Sequence, residues 1–187
     1  MMSKLLLQGG RIIDKSGDRF ADLLIDSDGR IEEIGEGLEA NKILDVKGKI
    51  ISSGFVDLNA SIGEPGEEQS ETFISGTRSA VKGGYTAIMT VPDSHVVNDN
   101  PNTAKALIEL SKQGLCEVIT VGASTHTGNG AAMSPLGEMS DLGVKFFTIT
   151  GSPSTDLETT RRIMEYSQKY GIKLLFLWAL WEAHREG

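Results

Sequence analysis

Short apolar runs alternate with glycine-containing turns along the first fifty residues. LLLQGGRIID, ADLLIDSDGRIEEIGEG and KILDVKGKI carry the pattern, and no helical period interrupts it. Period-two runs broken by turn residues predict β-hairpins. Asp28-Gly29, between LLID and IEEIG, predicts a type I′ turn, which needs positive φ at both central residues. Lys47-Gly48 holds a similar place before KIISSGFVDL.

The pattern changes at residue 50. Apolar strands are predicted at 50–58, 85–91, 116–122, 144–150 and 172–178. Helical segments lie between them: EQSETFISGTRSAVKGG, NPNTAKALIELSKQG, AAMSPLGEMSDLG and STDLETTRRIMEYSQKYG. Gly83-Gly84, Gly114 and Gly171 close three of them, as C-cap glycines do. Pro101 and the stretch 154–156 suit helix starts. In the last helix Leu157, Ile163, Met164 and Tyr170 fall near helical spacing. A strand every ~30 residues is the length of a βαβ unit. A parallel sheet follows, doubly wound or barrel-like, since the pattern alone does not separate the two. Five strands are too few for a full barrel, which takes ~250 residues.

Composition narrows the function classes. A formal net charge of −8 on 187 residues, with no basic run, argues against a nucleic-acid partner. The longest apolar run, residues 174–181, falls short of the ~20 a membrane span needs. The N-terminus lacks a signal-type apolar stretch. A single cysteine, Cys116, excludes an intrachain disulfide and suits a reducing, cytoplasmic setting. Cys116 itself reads as a small buried residue.

Ligands bind at the C-terminal ends of strands in such sheets. Those ends read DLNASIGEPGEE, VPDSHVV, GASTHTGNG, TITGSPS and LWALWEAH. No phosphate loop and no G-x-S-x-G motif occurs. His95 and His126, with Asp93, could in principle hold a divalent cation, but no two of them share a tight ligand spacing, and solvated loop residues are the plainer reading. Glu64, Glu67, Glu68 and Glu71 read as a loop that feeds negative charge to a helix N-terminus.

Two stretches carry a family resemblance: LDVKGKIISSGFVDLNASIGEPGEEQSETFISGTRSAVKGGYTAIMTVPDS, and GASTHTGNG followed by LGVKFFTITG. They resemble the cyclic amidohydrolases, and most of all the dihydroorotases of the long bacterial type. The resemblance implies a partial TIM-type (β/α) barrel of about five strands at residues 51–187. A small β-sandwich-like segment at residues 1–50 would precede it. It also implies a zinc-dependent opening and closing of a cyclic amide.

The family's site residues map poorly onto this chain. Its first strand ends in Asp-x-His-x-His; here Asp57 remains, while Asn59 and Ser61 stand at the histidine positions. Its substrate-gripping arginine corresponds to Gly63, and its asparagine after the second strand to Asp93. The bridging acid corresponds to Ile149 or Thr150, and the histidine ending strand five lies near Leu177 and Trp178. With the donors changed, no cofactor is expected, although the family carries zinc. Three readings follow. One is a non-catalytic dihydroorotase-like protein that associates with aspartate carbamoyltransferase or with itself. The second is an active cyclic amidohydrolase with an altered site. The third is a truncated remnant, since the chain stops soon after strand five and its two tryptophans lie in a tail unlike the family.

Overall fold

The structure is a computed structural model that describes residues 3–92, 96–128, 130, 132–150 and 157–177, with the side chains of Thr150 and Leu177 excepted. The helix start expected at 154–156 and the tail bearing Trp178 and Trp181 lie outside the described residues. The chain divides into two compact units, Met1–Gly54 and Phe55–Gly187.

The first unit is one sheet. Its strands are β1 (Leu5–Asp14), β2 (Gly17–Ile25), β3 (Ile31–Gly35), β4 (Lys42–Asp45) and β5 (Ile50–Ser52). β1–β2 and β2–β3 are antiparallel, as the hairpin pattern predicts. β4 and β5 both run parallel to β1, β4 beside Leu5–Gln8 and β5 beside Arg11–Ile13. The Lys47-Gly48 turn therefore joins two strands that share a neighbour and makes no hairpin. The described strands of this unit form a single sheet.

The Asp28-Gly29 turn differs from type I′. Gly29 has a φ of 80°, but Asp28 is not in the left-handed region. The cause is Asp26, whose carboxylate accepts the N–H groups of Asp28 at 2.9 Å and Arg30 at 2.8 Å. That side chain organises a longer loop with one left-handed position. Leu6, Ile12, Leu23, Leu24 and Val46 are the buried apolar residues of this unit.

The second unit begins at Phe55. Residues 50–52 belong to the first sheet as β5, so the strand expected at 50–58 is two strands parted at Ser53-Gly54. In chain order follow β6 (Phe55–Ala60), α1 (Phe73–Lys82), β7 (Tyr85–Thr90), α2 (Pro101–Ser111), β8 (Glu117–Thr120), β9 (Gly122–Ala123), α3 (Leu136–Asp141), β10 (Phe146–Thr150), α4 (Leu157–Lys169) and β11 (Lys173–Leu177). All pairings are parallel: β6–β7–β8 in one sheet and β9–β10–β11 in the other. The two sheets meet at Val121, where one continuous stretch leaves β7 and joins β10. The described strands form partial barrel-like sheets and no closed barrel.

Asn98 bridges that change of partner. The Val121 N–H still reaches the Thr90 carbonyl, at 3.1 Å. Beyond it β7 has ended, and Asn98 takes its place. Its backbone carbonyl accepts from the Ala123 N–H at 2.7 Å, and its Nδ2 donates to the Val121 carbonyl at 3.0 Å. Gly122 is needed next to it, because a Cβ there would lie 2.5 Å from the Phe147 ring.

The helices start where their caps predict. Thr72 and Ser75 form a capping box on α1. The Asn100 side chain accepts from the Asn102 and Thr103 N–H groups, with Pro101 at the first helical position. One apolar cluster holds Leu136, Met139, Val144, Phe147, Ile149, Ile163 and Ile172; a second holds Ile62, Phe73, Ile88 and Leu107. The periodicity of α4 needs correction. Ile163 is fully buried, but Leu157 is 85% exposed. Packing is set instead by Ile163, Ser167 and the rings of Tyr166 and Tyr170. Gly137 leaves room for the latter, since a Cβ there would come within 2.9 Å of Tyr170.

Ile88 and Met89 of β7 are buried. Exposure concentrates on β6, where Phe55, Val56 and Leu58 are exposed by 59%, 53% and 60%. β6 is an edge strand and lacks the lysines or prolines that protect such edges.

Two predictions follow from these contacts. Asn98→Ala leaves the buried Val121 carbonyl without its side-chain donor. The expected cost is about 1–3 kcal/mol, read as a lower urea midpoint with an unchanged slope. In the first unit, Arg19 holds the Asp14 carboxylate through bonds of 3.0 and 2.9 Å, and the Ser16 N–H adds a third. These contacts lower the Asp14 pKa to about 2. A depressed folded-state pKa gives stability that is present above the unfolded value near 4 and is lost as pH falls toward 2. Asp14→Asn should flatten the acid side of a stability-versus-pH curve between those values. An unchanged slope would show that this pair is too exposed to matter.

Candidate functional site

The candidate site is the C-terminal end of the parallel strands, where the loops after β6, β7 and β9 lie. Strand β6 departs from simple alternation there. Asp57 pairs with Ile88 and Ala60 with Thr90, so three steps on β6 match two on β7. That is a bulge. The Asp57 carboxylate accepts the Asn59 N–H at 2.9 Å within it. Asp57, Asn59 and Ser61, expected on one face at a spacing of two, are thus not in strict alternation. Asn59 and Ser61 are exposed.

Gly63 begins a tight loop. Its carbonyl accepts the Glu67 N–H at 2.8 Å. A Cβ on Gly63 would lie 2.8 Å from the Glu67 carbonyl and 3.1 Å from the Glu67 Cβ. The backbone has closed over the place where a side chain would leave. Glu64 does what the charge reading predicts: its Oε2 accepts the Phe73 N–H, the first of α1, at 2.7 Å. Glu68 accepts the Gly66 N–H, which, with its own backbone N–H, lowers its pKa against a small opposing effect of burial.

Asp99 organises the loop after β9. Its carboxylate accepts the Thr127 N–H at 2.8 Å and the Asn100 amide at 2.8 Å, and His126 Nδ1 lies 3.5 Å away. Burial pushes the Asp99 carboxyl up, but these donors outweigh it and hold it below the ordinary range. Thr127 has a φ of 53°, the only non-glycine residue at positive φ among the described residues. The Asp99 bond falls on the N–H of that strained residue. The Thr125 hydroxyl accepts from Gly130, and Thr125 bridges to Met133. Sequence reasoning passed over Asp99 and Asn98. Their signal was Val-Asn-Asp-Asn-Pro, a run of short polar side chains just before a helix-starting proline.

Other expected positions fall elsewhere. Ile149 is 4% exposed and packs in the cluster with Leu136, Met139 and Ile163, so it is a core residue. Leu177 ends β11, but its side chain, like that of Thr150, is outside the described residues; so are Asp93, His95 and Trp178. The suggested meeting of Asp93, His95 and His126 therefore has one described member, and that one is half exposed beside Asp99. Burial pushes the Cys116 thiol up, which suits a packing residue and not a nucleophile. No helix among the described residues is long and apolar enough to cross a membrane.

No protein-family model matches the chain. The dihydroorotase of Geobacter metallireducens is 34% identical over 177 residues, which cover 91% of this chain and 42% of that protein. The dihydroorotase of Geobacter sulfurreducens is also 34% identical, over 91% of this chain and 41% of its own length. The chain thus spans about two fifths of the length of these relatives. Among solved structures, an L-hydantoinase (dihydropyrimidinase) from Arthrobacter aurescens superposes with a TM-score of 0.75 at 20% identity. It covers 94% of this chain and 40% of that one. A D-hydantoinase gives 0.76 at 18% identity, over 92% and 39%. These two share the fold.

The relatives overturn one expectation. Dihydroorotases and hydantoinases are metal-dependent, so the expectation of no cofactor is corrected: a metal belongs to this family. Asn59 and Ser61 offer a neutral amide and a hydroxyl, where zinc favours imidazole, thiolate or carboxylate. Among the described residues no group of three or more His, Cys, Asp or Glu side chains is placed to hold a metal.

The Asp99 contacts give a prediction. Asp99→Ala should free the Thr127 N–H and speed its hydrogen exchange by about tenfold or more, the equivalent of one lost charge-assisted bond. Asp99→Asn keeps an acceptor and should exchange more slowly than the alanine variant. Equal exchange in wild type and alanine variant would remove Asp99 from this role.

Proposed function

We propose, from the premise that this chain is a dihydroorotase-like member of the cyclic amidohydrolase superfamily, that it keeps the partial TIM-type scaffold and does not turn over a cyclic amide. The observation that carries the reading is the loop after β6. Asn59 and Ser61 supply weak neutral donors there. At Gly63 the backbone packs within 2.8 Å of any added Cβ, so an arginine side chain has no path out without moving Glu67. A loop closed in this way has lost the means to grip a substrate carboxylate, independently of any metal.

The remaining chemistry is structural. Glu64 caps α1, Asp99 ties down the loop after β9, and Ile149 fills the core. None of these side chains is free to move a proton at a substrate atom. The role we assign is binding. The exposed apolar residues of β6 favour it, and the partner proposed is aspartate carbamoyltransferase, with a second copy of the chain as the competing occupant.

Purified chain assayed with dihydroorotate, with zinc supplied, should show no hydrolysis above background. Turnover at a rate that a point change in the β6 loop abolishes would refute the non-catalytic reading. Gly63→Arg should restore no activity and should lower the melting temperature, because the loop must open to admit the side chain. Co-purification with aspartate carbamoyltransferase, lost on Leu58→Asp, is the expected sign of the partner. Self-association without it would assign the surface to a second copy.

A further inference from the structure

A pocket of about 170 Å³ lies between α1 and the β6–β7 pair. Its walls include Asp57 and Ala60 of β6, Glu71 just before α1, and Tyr85 and Ile88 of β7. No residue of β8 or α2 lines it, so it sits toward the edge of the sheet that β6 forms. Asp57 and Glu71 are both half-buried. Gly76, in the first turn of α1, makes room for the Glu71 carboxylate: a Cβ there would lie 3.0 Å from Glu71 Cδ. The Asp57 carboxylate takes only the nearby Asn59 N–H, at 2.9 Å. Among the described residues no lysine, arginine or histidine lines the pocket, and none forms an ion pair with either acid.

The edge beside the pocket is open to a further strand. Among the described strands β6 pairs with β7 alone, and it exposes Phe55, Val56 and Leu58. An extended segment laid along such an edge gains main-chain hydrogen bonds and covers those side chains. Every second side chain of that segment stands on the face of the sheet that α1 covers, which is the face holding the pocket.

The pocket selects the chemistry of the side chain that enters. Two carboxylates among apolar walls call for a cation on a long apolar stem. Arginine meets both needs: its stem packs along apolar surface, and its planar fork donates to carboxylates. Its plane also stacks on an aromatic ring, and Tyr85 supplies one.

We propose that β6 accepts an extended segment of a partner protein as an added strand, with an arginine of that segment seated in the pocket against Asp57 and Glu71. The proposal rests on the binding role assigned above and deepens it by stating what the bound segment carries.

Three probes test this on the 187-residue chain, each acetylated and amidated: the pentapeptide Val-Thr-Arg-Thr-Val, the same peptide with citrulline (the neutral isostere of arginine) at its centre, and arginine alone. Binding is read by titration and mapped by amide chemical shifts. The arginine pentapeptide should bind most tightly, with shifts on β6 and the first turn of α1. Citrulline should weaken it about tenfold, the loss of one charge-assisted hydrogen bond. Glu71→Gln, checked for an unchanged melting temperature, should weaken the arginine pentapeptide to a similar extent and leave the citrulline peptide unaffected. Absence of binding, equal binding of the two pentapeptides, no loss in Glu71→Gln, or capped arginine binding as tightly as the pentapeptide would each overturn the proposal. Co-purification with aspartate carbamoyltransferase is scored separately. Capture that Glu71→Gln leaves unchanged keeps the binding role and removes the pocket from it, whereas arginine-selective peptide binding without capture supports the pocket and removes that partner.

Discussion

The second unit depends on one strand changing neighbours. A parallel strand needs partners on both edges to satisfy its N–H and C=O groups. Residues 117–120 pair with β7, and residues 122–123 pair with β10. Between them the edge that faced β7 would be bare, because β7 stops at Thr90. Asn98 closes that gap with one backbone and one side-chain bond. Gly122 lets the strand pass against Phe147. This substitute partner links the two short parallel sheets and gives the loops on their C-terminal ends a common frame.

Those loops are held by contacts that belong to the scaffold itself. The family resemblance rests on glycines, helix boundaries and strand cores, and these do the same physical work here as they would in an active relative. Glu64 on the first N–H of α1 and Asn100 at the N-cap of α2 are structural contacts that need no substrate. Gly63 is different in kind. A glycine there has allowed the Gly63–Glu67 turn to tighten until no larger residue fits. A side chain placed at Gly63 would therefore have to displace Glu67 before it could leave the turn.

Much of this was legible in the sequence, and the failures have physical causes. The helix start at Pro101 was readable because capping is local. The alternation of strands and helices was readable because burial sets its period. The β6 bulge was not, because register depends on the neighbouring strand, and it takes Asp57, Asn59 and Ser61 out of strict alternation. The break between β5 and β6 falls at Ser52-Ser53-Gly54, a short polar interruption between two apolar runs that read as one strand. Leu157 looked like a core position by spacing, yet the face of α4 is chosen by what Gly137 admits from the neighbouring helix.

Asp99 and Asn98 mark the boundary between what local patterns reveal and what they cannot. Both stand in a polar run that reads as an ordinary helix approach. Their partners lie at Val121, Ala123 and Thr127, more than twenty residues away. Each side chain offsets a cost created elsewhere: an edge carbonyl left by the end of β7, and a threonine held at positive φ. Neither cost exists until the sheet has formed. Such residues are defined by the assembled fold, and for that reason a substitution at Asn98 or Asp99 acts on the geometry of the strand ends before it acts on any chemistry there.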